Sequence, residues 1–212
     1  MSKRTENKAL VRERILKQAI PLFEKWGYNH VSLIDIAQAA RVSTRTLYRY
    51  FPKKLDILLG FVEVKMEDLA AYVGQTTGDL KSRVLDIMVF DYGEMYYRYD
   101  MSQLFETVHD RDNQITECRV RNERRRELMY RDLIVEEQRK YGREDSEKAL
   151  LASGIICAVF FYCGSMLHRD QLRKLPSSAV RDYYRQYIDV IWESIERMVG
   201  IAVPRYDDGE AE

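Results

Sequence analysis

The stretch Val42-Ser-Thr-Arg-Thr-Leu-Tyr-Arg-Tyr-Phe-Pro-Lys-Lys54 constrains the fold more than any other part of this chain. Ser43 and Thr44 are good helix-starting residues, and Pro52 stops what they start. Leu47 and Phe51 lie four apart and anchor one face of the resulting helix. Thr46, Tyr48, Arg49, Tyr50 and Lys54 cover the remainder with hydroxyls and positive charge. A short helix with an apolar underside and an Arg/Tyr/Thr top suits a DNA groove.

The residues upstream complete a unit. Leu33, Ile36, Ala37 and Ala40 recur at helical spacing, and Ser32 with Asp35 forms a capping-box start. Arg41-Val-Ser reads as a tight turn between two short helices, which together make a helix-turn-helix. Ile15, Ala19, Leu22, Phe23 and Trp26 form the apolar stripe of an earlier helix that ends at Gly27. Three such helices in sequence predict a homeodomain-like arrangement.

Ile15-Leu-x-x-Ala-x-x-Leu-Phe23, Trp26-Gly-Tyr28, Ile36-Ala37, Val42-Ser43 and Thr46-Leu-Tyr-Arg-Tyr-Phe-Pro-Lys-Lys54 closely resemble the DNA-binding domain of the TetR family of bacterial transcription regulators. The resemblance runs from about Arg12 to Leu59. It implies that Ser43 caps the recognition helix and that Thr44, Arg45, Thr46, Tyr48, Arg49, Tyr50 and Lys54 face DNA. Arg45 is the foremost base reader, since a guanidinium pairs bidentately with guanine. Arg49 reads a base or holds a phosphate, and Thr46, Tyr50 and Lys54 anchor phosphates. Lys3, Arg4 and Lys8 add groove or phosphate contacts. The chain departs from the family at Arg41, where glycine is common. If that turn needs positive φ, arginine there is strained, and a phosphate contact would offset the strain. Ile34 stands where a polar residue is usual.

Charge supports a two-part reading. Residues 1–54 hold twelve Lys and Arg against four Asp and Glu, a net of +8, and residues 55–212 carry −8. A basic module meets a polyanion and an acidic one does not. The division expected is therefore 1–54 for DNA binding and 55–212 for effector binding and dimerisation. Cys118, Cys157 and Cys163 form no CxxC and no zinc spacing, and the chain shows no signal peptide, which fits a reducing cytoplasm. Cys157 and Cys163 read as buried small hydrophobes, and Cys118 as a residue open to a redox role.

The remainder predicts an all-α fold: the helix-turn-helix domain followed by a helical bundle. Helices are expected over Asp56 to Tyr72, Leu80 to about Tyr99, Ile115 to about Tyr141, from Ser146 through an uncharged run, and from Pro176 to near Gly200. The uncharged run, Ala149 to Leu167, reaches the length of a membrane span. Its Ser, Gly and Cys residues favour a fully buried helix instead, with no membrane role. That helix and the last one are expected to pair two subunits through Ile156, Phe160, Tyr184, Ile188, Ile191 and Ile195. The alternative is a monomer core.

Resemblance to the family also implies a small-molecule cavity in the bundle. Candidate lining residues are Met88, Tyr92, Met95, Tyr96, Phe105, His109, Phe160 and Met166. Aromatics with a carboxylate such as Asp91 would suit a flat or cationic organic ligand; ordinary core packing is the competing reading. No phosphate loop and no GxSxG elbow occurs, and Glu106-x-x-His109 is only half of a di-iron signature. No enzyme activity, metal or cofactor is expected. The six arginines from Arg119 to Arg131 read as a solvated face paired with Glu117, Glu123 and Glu127. The expected function is a dimeric repressor released from a palindromic operator by a ligand. The alternative is a ligand-independent regulator or activator controlled by a protein partner.

Overall fold

The computed structural model describes residues 3–93, 108, 113–169 and 175–201. Every regular element among them is helical: α1 Lys3–Trp26, a 3-10 turn Tyr28–His30, α2 Leu33–Ala39, α3 Thr44–Tyr50, α4 Lys54–Val73, α5 Leu80–Tyr92, α6 Gln114–Lys140, α7 Ser146–Arg169 and α8 Ser177–Val199. By packing, the chain divides into residues 1–75 with 90–122, and residues 76–89 with 123–212.

In the first unit, α1 buries Ile15, Leu16, Ala19, Ile20 and Phe23 against Ile36, Ala37 and Ala40 of the α2 region and Leu47 and Phe51 of the α3 region. Ile57, Leu58, Phe61 and Val62 of α4 and Cys118 join the same core. By packing alone, then, α4 belongs with the headpiece, although a functional division at 54/55 would part them. The expected stripe of α1 holds as far as Phe23. Trp26 is instead 59% exposed, because it ends the helix beyond the core; Lys25 covers its ring at 4.8 Å. Leu16 and Ile20 take the core positions that the stripe left out.

The α2–α3 turn has a defined stop signal. Val42 N–H donates to Ala37 O at 3.0 Å and Arg41 N–H to Gln38 O at 3.1 Å. These paired bonds form a Schellman motif, which requires a left-handed residue, usually glycine, at the place of Arg41. Arg41 adopts φ 52. A side chain in that region costs about 1–2 kcal/mol.

In the second unit α7 packs along α8. Ion pairs tie the α5 segment in: Arg83 meets both oxygens of Glu136 at 3.2 Å, Lys81 meets Asp189 at 2.7 Å, and Arg181 meets Asp86. Burial is heaviest along Ile134, Ile156, Phe160, Tyr184 and Ile188. The uncharged run of α7 is long and apolar enough to cross a membrane, but 44% of that window is buried within the chain. The expectation of a fully buried helix is therefore corrected: Leu151, Ile155 and Tyr162 stay exposed. Cys118, Cys157 and Cys163 are buried free thiols, and burial pushes the first and third up, Cys163 to about 12.

Candidate nucleic-acid interface

Helix α3 begins where Ser43 lets it. The Ser43 hydroxyl accepts the Thr46 N–H at 3.1 Å and donates to Thr46 Oγ1 at 2.8 Å. This satisfies a backbone donor that the first turn would leave orphaned. Leu47 is fully buried and Phe51 nearly so, which fixes the rotation of the helix. Thr44, Arg45, Tyr48 and Arg49 are consequently exposed, while Thr46 and Tyr50 are half-buried. The Arg49 guanidinium lies 5.4 Å from the centre of the Tyr50 ring. Tyr48, at 51% exposure, is free of the core. Helix α2 starts in the same manner: Ser32 Oγ accepts from Asp35 N–H, and Asp35 accepts from the Ser32 backbone and hydroxyl. Those bonds to Ser32 hold the Asp35 carboxyl below its ordinary range.

Lys54 does something the sequence reading did not foresee. Its ammonium donates inward to the carbonyl oxygens of Tyr28, at 2.5 Å, and Val31, at 2.9 Å. Burial lowers its pKa. Two of three ammonium protons are thus engaged at the turn between α1 and α2, and Lys53 is the exposed cation at the head of α4. Gly60 was the signal that a neighbour comes close. A Cβ built there would lie 2.9 Å from the Arg12 guanidinium and 3.1 Å from the Phe51 ring. Arg12 lies over the Phe51 ring at 5.5 Å. The stack seats the end of α3 against α1 and α4.

Two surface hollows flank this framework. One, of about 440 Å3, is lined by Asn7, Lys8, Val11, Arg49 and Tyr50. It brings Asn7 and Lys8 to the end of α3; the Lys3 and Arg4 side chains lie outside the described residues. The other, of about 630 Å3, is lined by Leu22, Trp26, His30, Val31 and Asp35. Ile34 is exposed.

Of the candidate ligand residues, Met88, Tyr92 and Phe160 are buried and Met166 is half-buried. Met95, Tyr96, Phe105 and His109 lie outside the described residues, as does Glu106. Asp91 is buried. The solvated arginine face expected from Arg119 to Arg131 needs a correction at Arg126, which is buried with its guanidinium 5.8 Å from the Phe160 ring and 5.9 Å from the Phe161 ring. The six residues expected to pair subunits need a correction. Ile156, Phe160, Tyr184, Ile188 and Ile195 are covered by their own chain, and only Ile191 is half-exposed. The stripe on each helix faces its neighbour in the same chain, because that neighbour is the nearest apolar surface. The open residues are Leu151, Ile155, Ala158 and Tyr162 on α7 and Val190 on α8.

Comparison with known proteins agrees with this architecture. A family model described as bacterial regulatory proteins, tetR family, matches residues 15–60. The HTH-type transcriptional repressor KstR of Mycolicibacterium smegmatis is 37% identical over 71 residues, 31% of this chain and 35% of that protein. KstR of Rhodococcus jostii is 39% identical over 56 residues, 26% of each. The chain therefore aligns with well under two thirds of the length of these relatives. A structure assigned to the TetR-family regulators of Syntrophomonas wolfei superposes with a TM-score of 0.66 at 20% identity, covering 93% of this chain and all of that one. The transcriptional regulator FadR of Bacillus subtilis, in complex with stearoyl-CoA, superposes with a TM-score of 0.63 at 14% identity, covering 90% and 99%. Likeness at that identity shows a shared fold.

Proposed function

Because this chain belongs to the tetR family of bacterial regulatory proteins, we propose that it is a dimeric transcriptional repressor, released from a near-palindromic operator by a small organic ligand. One observation carries the DNA reading. Helix α3 commits Leu47 and Phe51 to the core and leaves Thr44, Arg45, Tyr48 and Arg49 exposed, in a headpiece of net charge +8. A helix so arranged fits the major groove, where guanidinium groups read guanine and hydroxyls hold phosphates. In this reading Ser43 shapes the helix start, Arg45 reads a base, Arg49 reads a base or phosphate, and Thr46 and Tyr50 hold phosphates. Lys54 positions the frame through its inward bonds. Residues 1–54 bind DNA, and residues 55–212 pair subunits and take the effector.

Two recognition helices in a dimer read two half-sites at one spacing, so a small movement of one subunit lowers operator affinity. The open apolar residues of α7 and α8 supply a surface for the second copy. The effector reading draws support from FadR, whose structure holds stearoyl-CoA, and from a TetR of Acinetobacter baumannii that holds minocycline. An effector acts by binding one state better than the other. The buried aromatics and Arg126 favour a ligand with a large apolar or aromatic part.

Selection of bound duplexes from a random pool tests the DNA reading. An inverted repeat should emerge, and its binding should weaken steeply with salt. An unenriched pool overturns it. Thermal shift against a metabolite panel tests the effector. A stabilising compound that also weakens operator binding supports gating; stabilisation without any effect on DNA favours control by a protein partner.

A further inference from the structure

We propose that Arg41 is an additional phosphate-contacting residue, seated at the left-handed stop of α2 so that its charge serves the bound complex. This rests on the DNA-binding reading above. Three observations carry it. First, Arg41 holds φ 52 in a Schellman turn that glycine would occupy without strain. Second, its side chain is exposed and makes no ion pair or hydrogen bond among the described residues, so no described side chain offsets that strain. Third, it opens a stretch, residues 41–54, with five cations and no carboxylate.

The arginines of the second unit behave differently. Arg83, Arg124, Arg131, Arg139, Arg181, Arg185 and Arg197 each meet an Asp or Glu. Arg41 and Arg45 are free of carboxylates, and Arg49 lies against Tyr50. Arg41 sits two residues before Ser43, which caps α3, and four before Arg45. A strained residue with no local partner, next to a surface built for a polyanion, gains its partner when the polyanion arrives. The contact is electrostatic and positional, and it adds one released counterion rather than a base preference.

The test uses the full chain, the inverted repeat chosen by selection, and a duplex of arbitrary sequence. Arg41→Gly should raise the melting temperature by about 2–4 °C, as expected for relief of strain in a chain of this size. The same variant should bind both duplexes more weakly and flatten the log–log salt dependence by about one unit. Arg41→Lys keeps the charge and should keep the native slope. A Gly variant with a higher melting temperature and an unchanged salt slope overturns the proposal, as does a Lys variant with the flattened slope. A native chain that shows no salt-sensitive binding to either duplex instead overturns the DNA-binding reading itself, and the proposal with it.

Discussion

The Lys54 ammonium lies 2.5 Å from the carbonyl oxygen of Tyr28 and 4.3 Å from the centre of that residue's ring. Its second bond, to Val31 O, makes it a clasp between the start of α4 and the turn that follows α1. Both carbonyls lose their partner if the ammonium goes. Lys54→Met, which keeps the stem but no donor, should cost about 1–3 kcal/mol in denaturant unfolding. It should leave the salt slope of DNA binding unchanged. A slope flatter by about one unit would show that the ammonium reaches phosphate after all.

Tyr28 gives the same turn a pH dependence. Burial first, and the Asp56 carboxylate second, push its phenol up to about 12. The folded state therefore holds this proton more tightly than the unfolded chain does. Stability from this source is complete below pH about 10 and is lost as pH rises toward 12. Melting curves across that window should fall more steeply for the native chain than for Tyr28→Phe. Parallel curves would show that another group drives the alkaline transition.

Arg45 is exposed on α3 with its helix rotation fixed by Leu47. Arg45→Ala should lose roughly 1–3 kcal/mol on the selected inverted repeat and little on arbitrary duplexes. Equal loss on both would assign it to phosphate.

Much of the framework was legible because helix signals are local. The capping pair Ser32 and Asp35, the cap Ser43 and the stop at Gly200 each act within one turn, so α2 and α3 begin, and α8 ends, where those residues place them. The positive φ at Arg41 was foreseen only as a condition, from the glycine common at that place in the family that the headpiece resembles. Partners distant in sequence were not. Lys54 reaches back to Tyr28, and Gly60 yields to Arg12, through packing that no periodicity reports. The α7–α8 stripe was read as facing a second subunit because an apolar face does not say which surface covers it. Within one chain the nearer surface does, and the residues left open lie on the opposite side of α7.

Gln138 holds the second unit at one point. It is fully buried, donating Nε2–H to Val199 O at 2.8 Å and accepting the Asp145 N–H at 3.1 Å. One amide thus joins the end of α6 to the end of α8 and to the residue that precedes α7. Gln138→Leu fits the space but leaves a donor and an acceptor without partners. The expected loss is about 2–5 kcal/mol in urea unfolding. A loss under about 1 kcal/mol would mean that water reaches both groups.

The open face of α7 gives the sharpest test of pairing. Leu151, Ile155, Ala158 and Tyr162 recur at helical spacing, and Leu151 and Tyr162 are 65% and 52% exposed. Val190 on α8 is 81% exposed. Because these side chains stand outside the chain's own core, a charge there costs a monomer little. In a dimer built on this face, two copies of Leu151→Asp would bury unpaired carboxylates, at about 3 kcal/mol or more. Sedimentation across a concentration series should then find native dimer and variant monomer, both with full helical circular dichroism. Ile156→Asp, five positions along and fully buried, should instead lose helix. If Leu151→Asp stays dimeric, the second copy sits on another face. If it unfolds like Ile156→Asp, the residue is part of the core and α7 has no open face to offer.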